Sequence, residues 1–413
     1  MRRSFVPLAL SAAAACAGET GSGSVSPVTR DSAGVTLVEN AAAVCAPGAL
    51  RIDSIPSLSI GAIEGEQAEL FSSIASVSVR RDGSILVAES QSDEIRVFDA
   101  EGRFLFAAGG PGEGPGEFTD LYGTWTYRGD SIVANDRWSR EVEIFDPAGN
   151  PVRSFRVDVA MDHAAYNYAG DVPHVLGVWQ DGSIIVETPH ATPHGNIGAS
   201  ADYTTTLLRY APDGGGPDTL GTFAVRAVQF ATGPTGRPVP VSALFAHRTD
   251  LAIGNGVVHT DAPHAFEIRT WGPDRTLVRV ARRPFERVPV QPQHVMEYEQ
   301  RALANARTAQ QRVAISQSLN NRLIASHFPA VSWLRVGLGG DVWARHDGGI
   351  EPASDAWSAF DAEGRWMGEA TMPTGLAPQV FGSDWVLGVW RDEATGVPFV
   401  RKHALIRSAG CGS

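Results

Sequence analysis

Histidines are the residues of this sequence best suited to metal or acid–base chemistry, and ten of the eleven fall in or beside long connections between predicted strands. These ten are His163, His174, His190, His194, His247, His259, His264, His294, His327 and His346. Neutral imidazole is a common metal ligand, so histidines that converge could hold zinc. Their spacing does not specify such a site, because Pro193 excludes a helix that would align His190 with His194. We predict no cofactor and keep zinc or calcium as the alternative.

Acidic residues recur near the end of the second strand of each predicted repeat. They are Glu89, Asp136, Glu187, Asp261, Asp347 and Asp392. A ring of carboxylates around a channel could bind cations or raise one another's pKa for acid–base work. Their register shifts by one residue between repeats, however, and acidic side chains often accept hydrogen bonds from the backbone of a following turn. The pattern favours this second, structural interpretation.

Residues 135–141, NDRWSRE, place Trp138 between two arginines in a loop. An exposed aromatic ring beside guanidinium groups suits contacts with carbohydrate or protein. Together with histidines of the same face, these residues form the predicted ligand-binding set. The set is Arg137, Trp138, Arg140, His174, His190, His194, His259, His264 and His346.

The sequence offers no motif for nucleophilic catalysis. It contains no G-x-S-x-G elbow. The glycine-rich stretch at residues 109–118, GGPGEGPGEF, lacks the Lys-Ser or Lys-Thr of a phosphate-binding loop, and its glutamates would repel phosphate. We predict no catalytic residue.

The elements that position these residues are short strands in a repeated unit. Residues 73–118 contain four apolar runs, at 73–80, 85–88, 95–98 and 104–107, separated by turns such as Asp82-Gly83 and Glu101-Gly102. Short apolar runs between such turns predict β-hairpins. The turn after the first strand recurs six times, so we predict an all-β, six-bladed propeller.

The two ends of the chain are predicted to complete one blade. The sixth unit ends with its third strand, residues 399–406, whereas residues 50–60 form a fourth strand without a third. Their pairing would close the ring and leave no open edge between first and last blades. Cys45 and Cys411 flank these two strands, so we expect a disulfide across the seam, with two independent thiols as the alternative.

The long connections between second and third strands, and between blades, are predicted to lie on one face, which we call the long-loop face. The longest is a helical insertion at residues 286–329 between blades 4 and 5. Within it, residues 293–325 have apolar residues at helical spacing. The insertion is either a lid over the channel or a structural cap, and its polar outer face favours the cap.

The N-terminus has the features of a secretion signal. Residues 1–16, MRRSFVPLALSAAAAC, combine two arginines, an apolar run and small residues ending at Cys16. Cys16 is predicted to be lipidated, with cleavage alone as the alternative. Residues 17–33 would form a flexible tether, on the side opposite the long-loop face, and residues 34–413 the propeller. We therefore expect export to the cell envelope, either as an outer-membrane lipoprotein or in the periplasm.

The net charge of −12 argues against a nucleic-acid partner, because phosphate binding needs clustered lysines and arginines. The predicted partners are a protein, a carbohydrate or a small ligand, together with a membrane surface through the lipid. The sequence does not distinguish a protein, a carbohydrate and a small ligand from one another.

The unit DGSILVAESQSDEIRVFDAEGRFLFAAGG, followed by GPGEF, resembles the NHL-type repeat and related six-bladed propeller lipoproteins of bacteria. The resemblance covers residues 50–406 and implies a binding or scaffolding role. Some relatives are enzymes: amidating lyases surround a metal with histidines, and gluconolactonase-like propellers use carboxylates around calcium. Neither catalytic set can be placed on this chain. A metal-assisted hydrolase or lyase at the channel mouth is therefore the alternative function.

Overall fold

The computed structural model of the protein describes residues 27–157, 172–191, 193–233, 235–320, 322–347, 355–408 and 411. Six sheets, one per blade, surround a central channel, and all but one of their strand pairs are antiparallel. The predicted leader with Cys16, and His163, lie outside the described residues.

The strands follow one another blade by blade along the chain. Before blade 1 come β1 (Val28–Ser32), β2 (Val35–Glu39) and β3 (Leu50–Ile60). Blade 1 contains β4 (Ile74–Val79), β5 (Ile85–Glu89), β6 (Glu94–Phe98) and β7 (Phe104–Gly109). Blade 2 contains β8 (Leu121–Thr126), β9 (Ile132–Asp136), β10 (Glu141–Phe145) and β11 (Pro151–Arg156). Blade 3 contains β12 (His174–Val178), β13 (Ile184–Glu187), β14 (Ser200–Tyr210), β15 (Asp218–Thr232) and β16 (Pro238–Val241).

The second half of the chain continues the pattern around a helical insertion. Blade 4 contains β17 (Leu251–Gly254), β18 (Val257–Asp261), β19 (Glu267–Trp271) and β20 (Leu277–Arg282). Helices α1 (Pro292–Ala304) and α2 (Ala309–Asn320) follow. Blade 5 contains β21 (Val331–Val336), β22 (Val342–His346), β23 (Ala356–Phe360) and β24 (Trp366–Thr371). Blade 6 contains β25 (Leu376–Phe381), β26 (Trp385–Arg391) and β27 (Pro398–Arg407), and β3 is its fourth strand.

The core lies between neighbouring blades. All five residues of β5 and of β9 are buried, because the adjacent blades cover both faces of these strands. Leu86, Ile95 and Ile132 pack together between blades 1 and 2 with no exposed surface. The apolar runs that predicted strands therefore form the contacts that hold the blades together.

The predicted closure of the ring is confirmed. Strand β3 pairs antiparallel with β27, from Ile60 opposite Val400 to Leu50 opposite Arg407. Cys45 and Cys411 form a disulfide beside this pair, between residues 366 positions apart. The sixth sheet is thus made from both ends of the chain, and a covalent bond holds those ends together.

The N-terminal hairpin of β1 and β2 differs from the prediction, which had residues 17–33 as a flexible tether. Ala33 and Gly34 both have positive φ angles, of 54° and 85°, and form the tight turn that joins the two strands. Strand β2 adds in parallel to β20, the outer strand of blade 4, with Glu39 opposite Arg282. The edge of blade 4 offers unpaired backbone groups, and the hairpin satisfies them.

Blade 3 also departs from four strands, because residues predicted to be loop form a long ribbon. Strands β14 and β15 have 11 and 15 residues, and β13 pairs only with the last four residues of β14. Beyond that point Tyr203 and Val228 pack against Leu251 of blade 4, and β16 covers the outer edge of β15. Packing against blade 4 and β16 thus keeps the ribbon extended, although its sequence predicted a loop.

Helices α1 and α2 confirm the predicted insertion between blades 4 and 5. A short backbone pairing attaches it, in which Leu244 N–H donates to Leu323 O at 2.7 Å. Phe245 packs on Phe328 with ring centroids 5.0 Å apart. No described residue of the insertion lines the channel cavity, and the structural cap stays a prediction. Neither helix is long and apolar enough to cross a membrane.

Candidate functional site

The central channel is lined by the first strand of every blade, and its cavity has a volume of about 780 Å³. The inner part is lined by small and apolar side chains, such as Ser76, Val336 and Val380. The long-loop end is different, because blades 2, 3 and 4 contribute ionisable groups there. These are Asp120, Tyr122, Arg137, His174, Glu187, His190, Arg248 and Asp250.

Blade 2 contributes an arginine and a phenol that contact each other. The guanidinium of Arg137 lies 5.6 Å from the ring centroid of Tyr122, and its Nε donates a hydrogen bond to Asp120 at 2.6 Å. The Tyr122 ring packs edge-on against His174 with centroids 5.4 Å apart. Burial raises the pKa of Tyr122, so its hydroxyl is a neutral hydrogen-bond donor at physiological pH.

Blade 3 places one carboxylate between two imidazoles. Glu187 Oε1 lies 3.2 Å from His190 Nε2, and Oε2 lies 3.4 Å from His174 Nε2. Burial acts to raise the pKa of Glu187, but the hydrogen bond from His190 and the charges of His174 and His190 outweigh it and lower the pKa. Glu187 therefore stays ionised and lies within reach of both imidazoles.

Blades 4 and 5 add a buried carboxyl group at their junction. Asp250 accepts a hydrogen bond from Leu334 N–H at 2.6 Å. Burial raises the pKa of Asp250 to about 6, against the opposing charge of Arg335. Arg248, two residues away, is exposed at the mouth and makes no side-chain hydrogen bond within the described residues.

Two of the other recurrent acids, Glu89 and Asp136, behave as the structural interpretation expects. Glu89 accepts hydrogen bonds from the backbone of Ser73 and Ser92, each at 2.7 Å. Asp136 accepts backbone bonds from Thr119 at 2.5 Å and Ser139 at 2.7 Å. Burial acts to raise the pKa of both carboxyls, but these hydrogen bonds lower it. These two acids tie the connections to the blade and are not part of a carboxylate ring.

The predicted ligand-binding residues do not all reach the mouth. Arg137, His174 and His190 line the cavity. Trp138 is 60% exposed, as expected, and lies beside Arg137 with Arg140 in the same loop. His194 is exposed in the connection from β13 to β14.

Three further predicted histidines lie elsewhere. His259 is buried between blades 4 and 5, with Nδ1 3.1 Å from Thr270 Oγ1. His346 lies 2.9 Å from Ser358 Oγ. Burial lowers the pKa of both His259 and His346 to about 4. His264 is exposed and lines a separate groove outside the channel.

Four residues that line the cavity, Tyr122, Arg248, Asp250 and Arg335, were not predicted from the sequence. All four lie in or just before first strands, the strands that line the channel. Polar residues at the start of a predicted first strand were the available signal for Tyr122, Arg248 and Asp250, whereas Arg335 lies near the end of β21. A metal site gains no support, since the described residues contain no group of three or more His, Cys, Asp or Glu side chains placed to hold an ion.

Comparison with known proteins supports the architecture. A family model described as a 6-bladed beta-propeller matches residues 49–171. The fold is a six-bladed propeller. The predicted NHL-like lipoprotein family is not confirmed by this match and stays a prediction. No curated protein matches the sequence.

Solved structures with a similar fold are distant in sequence. A protein of Bacteroides fragilis, provisionally named as exported, has 11% identity and a TM-score of 0.48, over 90% of this chain and 99% of that one. A duf4221-family protein of Bacteroides vulgatus has 10% identity and a TM-score of 0.45, over 86% and 98%. A gluconolactonase of Xanthomonas campestris has 12% identity and a TM-score of 0.42, over 86% and 99%. At these values none of them assigns an activity to this chain.

Proposed function

We propose that this protein is an exported propeller that binds a small polar ligand at the long-loop mouth of its channel. The observation that carries the proposal is the convergence of Tyr122, Glu187 and Arg248, from three successive blades, on one cavity of about 780 Å³. A concave site with a few convergent polar groups is the usual form of a small-molecule site.

The chemistry of the mouth favours a ligand that carries both a carboxylate and hydroxyl groups. Arg248 is an exposed cation without a side-chain hydrogen bond in the described part of the chain, so it is available to an anion. Tyr122 offers a neutral donor. The Glu187 carboxylate and the imidazoles beside it can accept from or donate to hydroxyls. Sugar acids have this combination of groups.

Isothermal titration calorimetry with sugar acids, amino acids and neutral sugars tests the site. We expect a carboxylate-bearing compound to bind, and Arg248→Gln to raise its dissociation constant about tenfold or more because a charge-assisted hydrogen bond is lost. Arg81→Gln is the matched control, since Arg81 is exposed in the turn after β4 and away from the cavity. Equal affinity of Arg248→Gln and the wild type would refute the site.

Export is supported by the leader-like residues 1–16 and by the disulfide between Cys45 and Cys411, since disulfides persist mainly in oxidising compartments. We propose that Cys16 carries a lipid and that the protein belongs to the NHL-like envelope lipoproteins. Palmitate labelling during expression in a bacterial host tests the lipid. Label in the wild type but not in Cys16→Ser is the expected outcome, and an unlabelled, cleaved wild-type protein would contradict it.

A second candidate function is a hydrolase or lyase at the same mouth. It is favoured by Glu187, because a carboxylate that orients an imidazole is an arrangement found in general bases. Elemental analysis separates the metal-assisted form of this candidate from binding alone. Stoichiometric zinc or calcium that His174→Ala removes would favour the enzyme, and metal-free protein that still binds a ligand would favour the binding role.

A further inference from the structure

A second concave site lies outside the channel, between the ribbon of blade 3 and the face of blade 4. We call it the blade 3/4 groove. It has a volume of about 660 Å³ and is lined by β15, by the ends of β18 and β19, and by residues 246, 247, 249, 263, 264, 325–327 and 329. Arg287, which precedes the helices, also lines it. The groove exists because the ribbon continues past blade 3 and the insertion returns over blade 4.

One wall of the groove is apolar, and the indole N–H within it already has a hydrogen-bond acceptor. Phe223 and Trp271 pack edge to face with ring centroids 5.7 Å apart. The indole Nε1–H of Trp271 donates to Thr260 Oγ1 at 3.1 Å, so its polar atom is already satisfied. Ala224 and Val225 extend this surface along β15. A flat apolar group could cover the two rings without burying a polar atom that lacks a hydrogen-bond partner.

Two arginines that line the groove carry positive charge that no described residue neutralises. Arg226 stacks its guanidinium 4.9 Å from the ring of Tyr203, and Arg287 is exposed. Neither arginine forms an ion pair within the described residues. The imidazoles of His264 and His327 also line the groove. In a chain of net charge −12, two arginines left unpaired beside a cavity mark a place for an anion.

The two carboxylates that line the groove, Asp202 and Asp261, form no ion pair with these arginines. Asp261 is buried and already receives His247 Nε2 at 2.6 Å and the backbone N–H of Asp250 at 2.9 Å. Asp202 is exposed and forms no ion pair with any described residue. The groove thus combines an apolar aromatic wall with available guanidinium groups.

We propose that the blade 3/4 groove binds an amphipathic anion, with a flat apolar body against Phe223 and Trp271 and a carboxylate or sulfonate against Arg226 and Arg287. The groove includes none of the ionisable groups of the channel mouth, although both cavities reach Val225 and Thr249, and the proposal does not depend on the function proposed for the mouth. Both parts of the ligand add to its affinity, because the wall supplies apolar burial and the arginines supply charge-assisted hydrogen bonds.

Two fluorescent probes test the proposal on the full protein. Anilinonaphthalene sulfonate is aromatic and anionic, whereas N-phenylnaphthylamine has a similar apolar body without the charge. We expect saturable binding of the sulfonate, and the double variant Arg226→Gln with Arg287→Gln should raise its dissociation constant about tenfold. Binding of the neutral probe should change by less than about twofold, because only the charged contact is removed.

Control variants localise the signal. Arg81→Gln with Arg312→Gln removes two exposed arginines outside the groove and should leave both probes unaffected. Arg248→Gln should also have no effect, which separates the groove from the channel mouth. Trp271→Leu should weaken both probes, and urea unfolding of each variant checks that it is folded. No saturable sulfonate binding, an unaffected double variant, or loss of binding in Arg248→Gln would each overturn the proposal.

Discussion

The residue at the end of a blade's second strand has two different roles in this protein. Glu89 and Asp136 lie opposite apolar residues, Ile74 and Leu121, and they accept backbone hydrogen bonds from the entering connection. Glu187 lies opposite His174 instead and faces imidazoles in the channel mouth. The residue across the strand pair decides whether the acid is structural or part of the site.

Removing a structural acid should cost stability according to its burial. Asp136→Ala leaves the N–H groups of Thr119, Asp120 and Ser139 without their acceptor, and we expect a loss of about 3 kcal/mol in the free energy of unfolding. The matched Asp392→Ala should lose much less, because Asp392 caps an exposed turn in blade 6. Urea unfolding at neutral pH compares the two. Equal losses would contradict the structural role assigned to Asp136.

Asp250 should make stability depend on pH in the opposite direction to an ordinary acid. Its pKa is raised by burial from 3.8 to about 6, so the folded protein binds a proton that the unfolded chain has released, and stability falls as the pH rises from 4 to 7. The full effect is about 3 kcal/mol. Asp250→Asn keeps an acceptor for Leu334 N–H and should lack this decline.

Chemical denaturation at pH 4.5 and 7.5 measures the effect of Asp250. The free energy of unfolding of the variant, relative to the wild type, should increase at the higher pH. Asp250→Ala removes the hydrogen bond as well and should be destabilised at both pH values. Parallel pH profiles of the wild type and Asp250→Asn would show that Asp250 is already ionised in the folded state.

At the scale of elements, local patterns predicted the strands of each blade but not the strands added at blade edges. The turn at Asp82-Gly83 is local: Asp82 Oδ1 accepts a hydrogen bond from Ser84 N–H at 2.8 Å. The hairpin of β1 and β2 pairs with β20, more than 240 residues later, and no local signal specifies that partner. Likewise, β15 remains extended because blade 4 and β16 cover it.

The N-terminal hairpin should contribute stability through one side chain. Val38 is 1% exposed and packs with Phe266 and Val331 between blades 4 and 5. We expect Val38→Ala to lower the free energy of unfolding by about 2 kcal/mol. Val28→Ala, on the 63% exposed outer strand, should change it by less than about 0.5 kcal/mol. If Val38→Ala were also neutral, the hairpin would not be part of the cooperative fold.

Part of the candidate site was predictable from the local pattern of strands and connections. Arg137, His174 and His190 lie at the ends of first or second strands, and such ends reach the mouth. His259 lies two residues before the end of β18 and faces the wall between blades. Because side chains alternate across a strand, a small shift in register moves a residue from the channel to a blade interface. Sequence spacing alone could not fix that register.

At the scale of the whole molecule, stability depends on a ring closed by its two ends. The disulfide between Cys45 and Cys411 restricts an unfolded chain of several hundred residues, which corresponds to about 6 kcal/mol from loop entropy. Cys45→Ser with Cys411→Ser should therefore unfold at clearly lower guanidinium concentration than the wild type. A reducing agent should shift the wild type to the same midpoint and leave the variant unchanged. If the reducing agent left the midpoint of the wild type unchanged, the disulfide would contribute little to stability.

The N-terminal hairpin places the start of the described chain at the edge of a blade. Strand β1 is the outermost strand of the blade 4 sheet and all of its residues are exposed. The described chain therefore begins at the outer edge of a blade and not at either end of the channel. The lipid proposed for Cys16 would hold the protein from that edge, which is a different place from the channel mouth where we propose that a ligand enters.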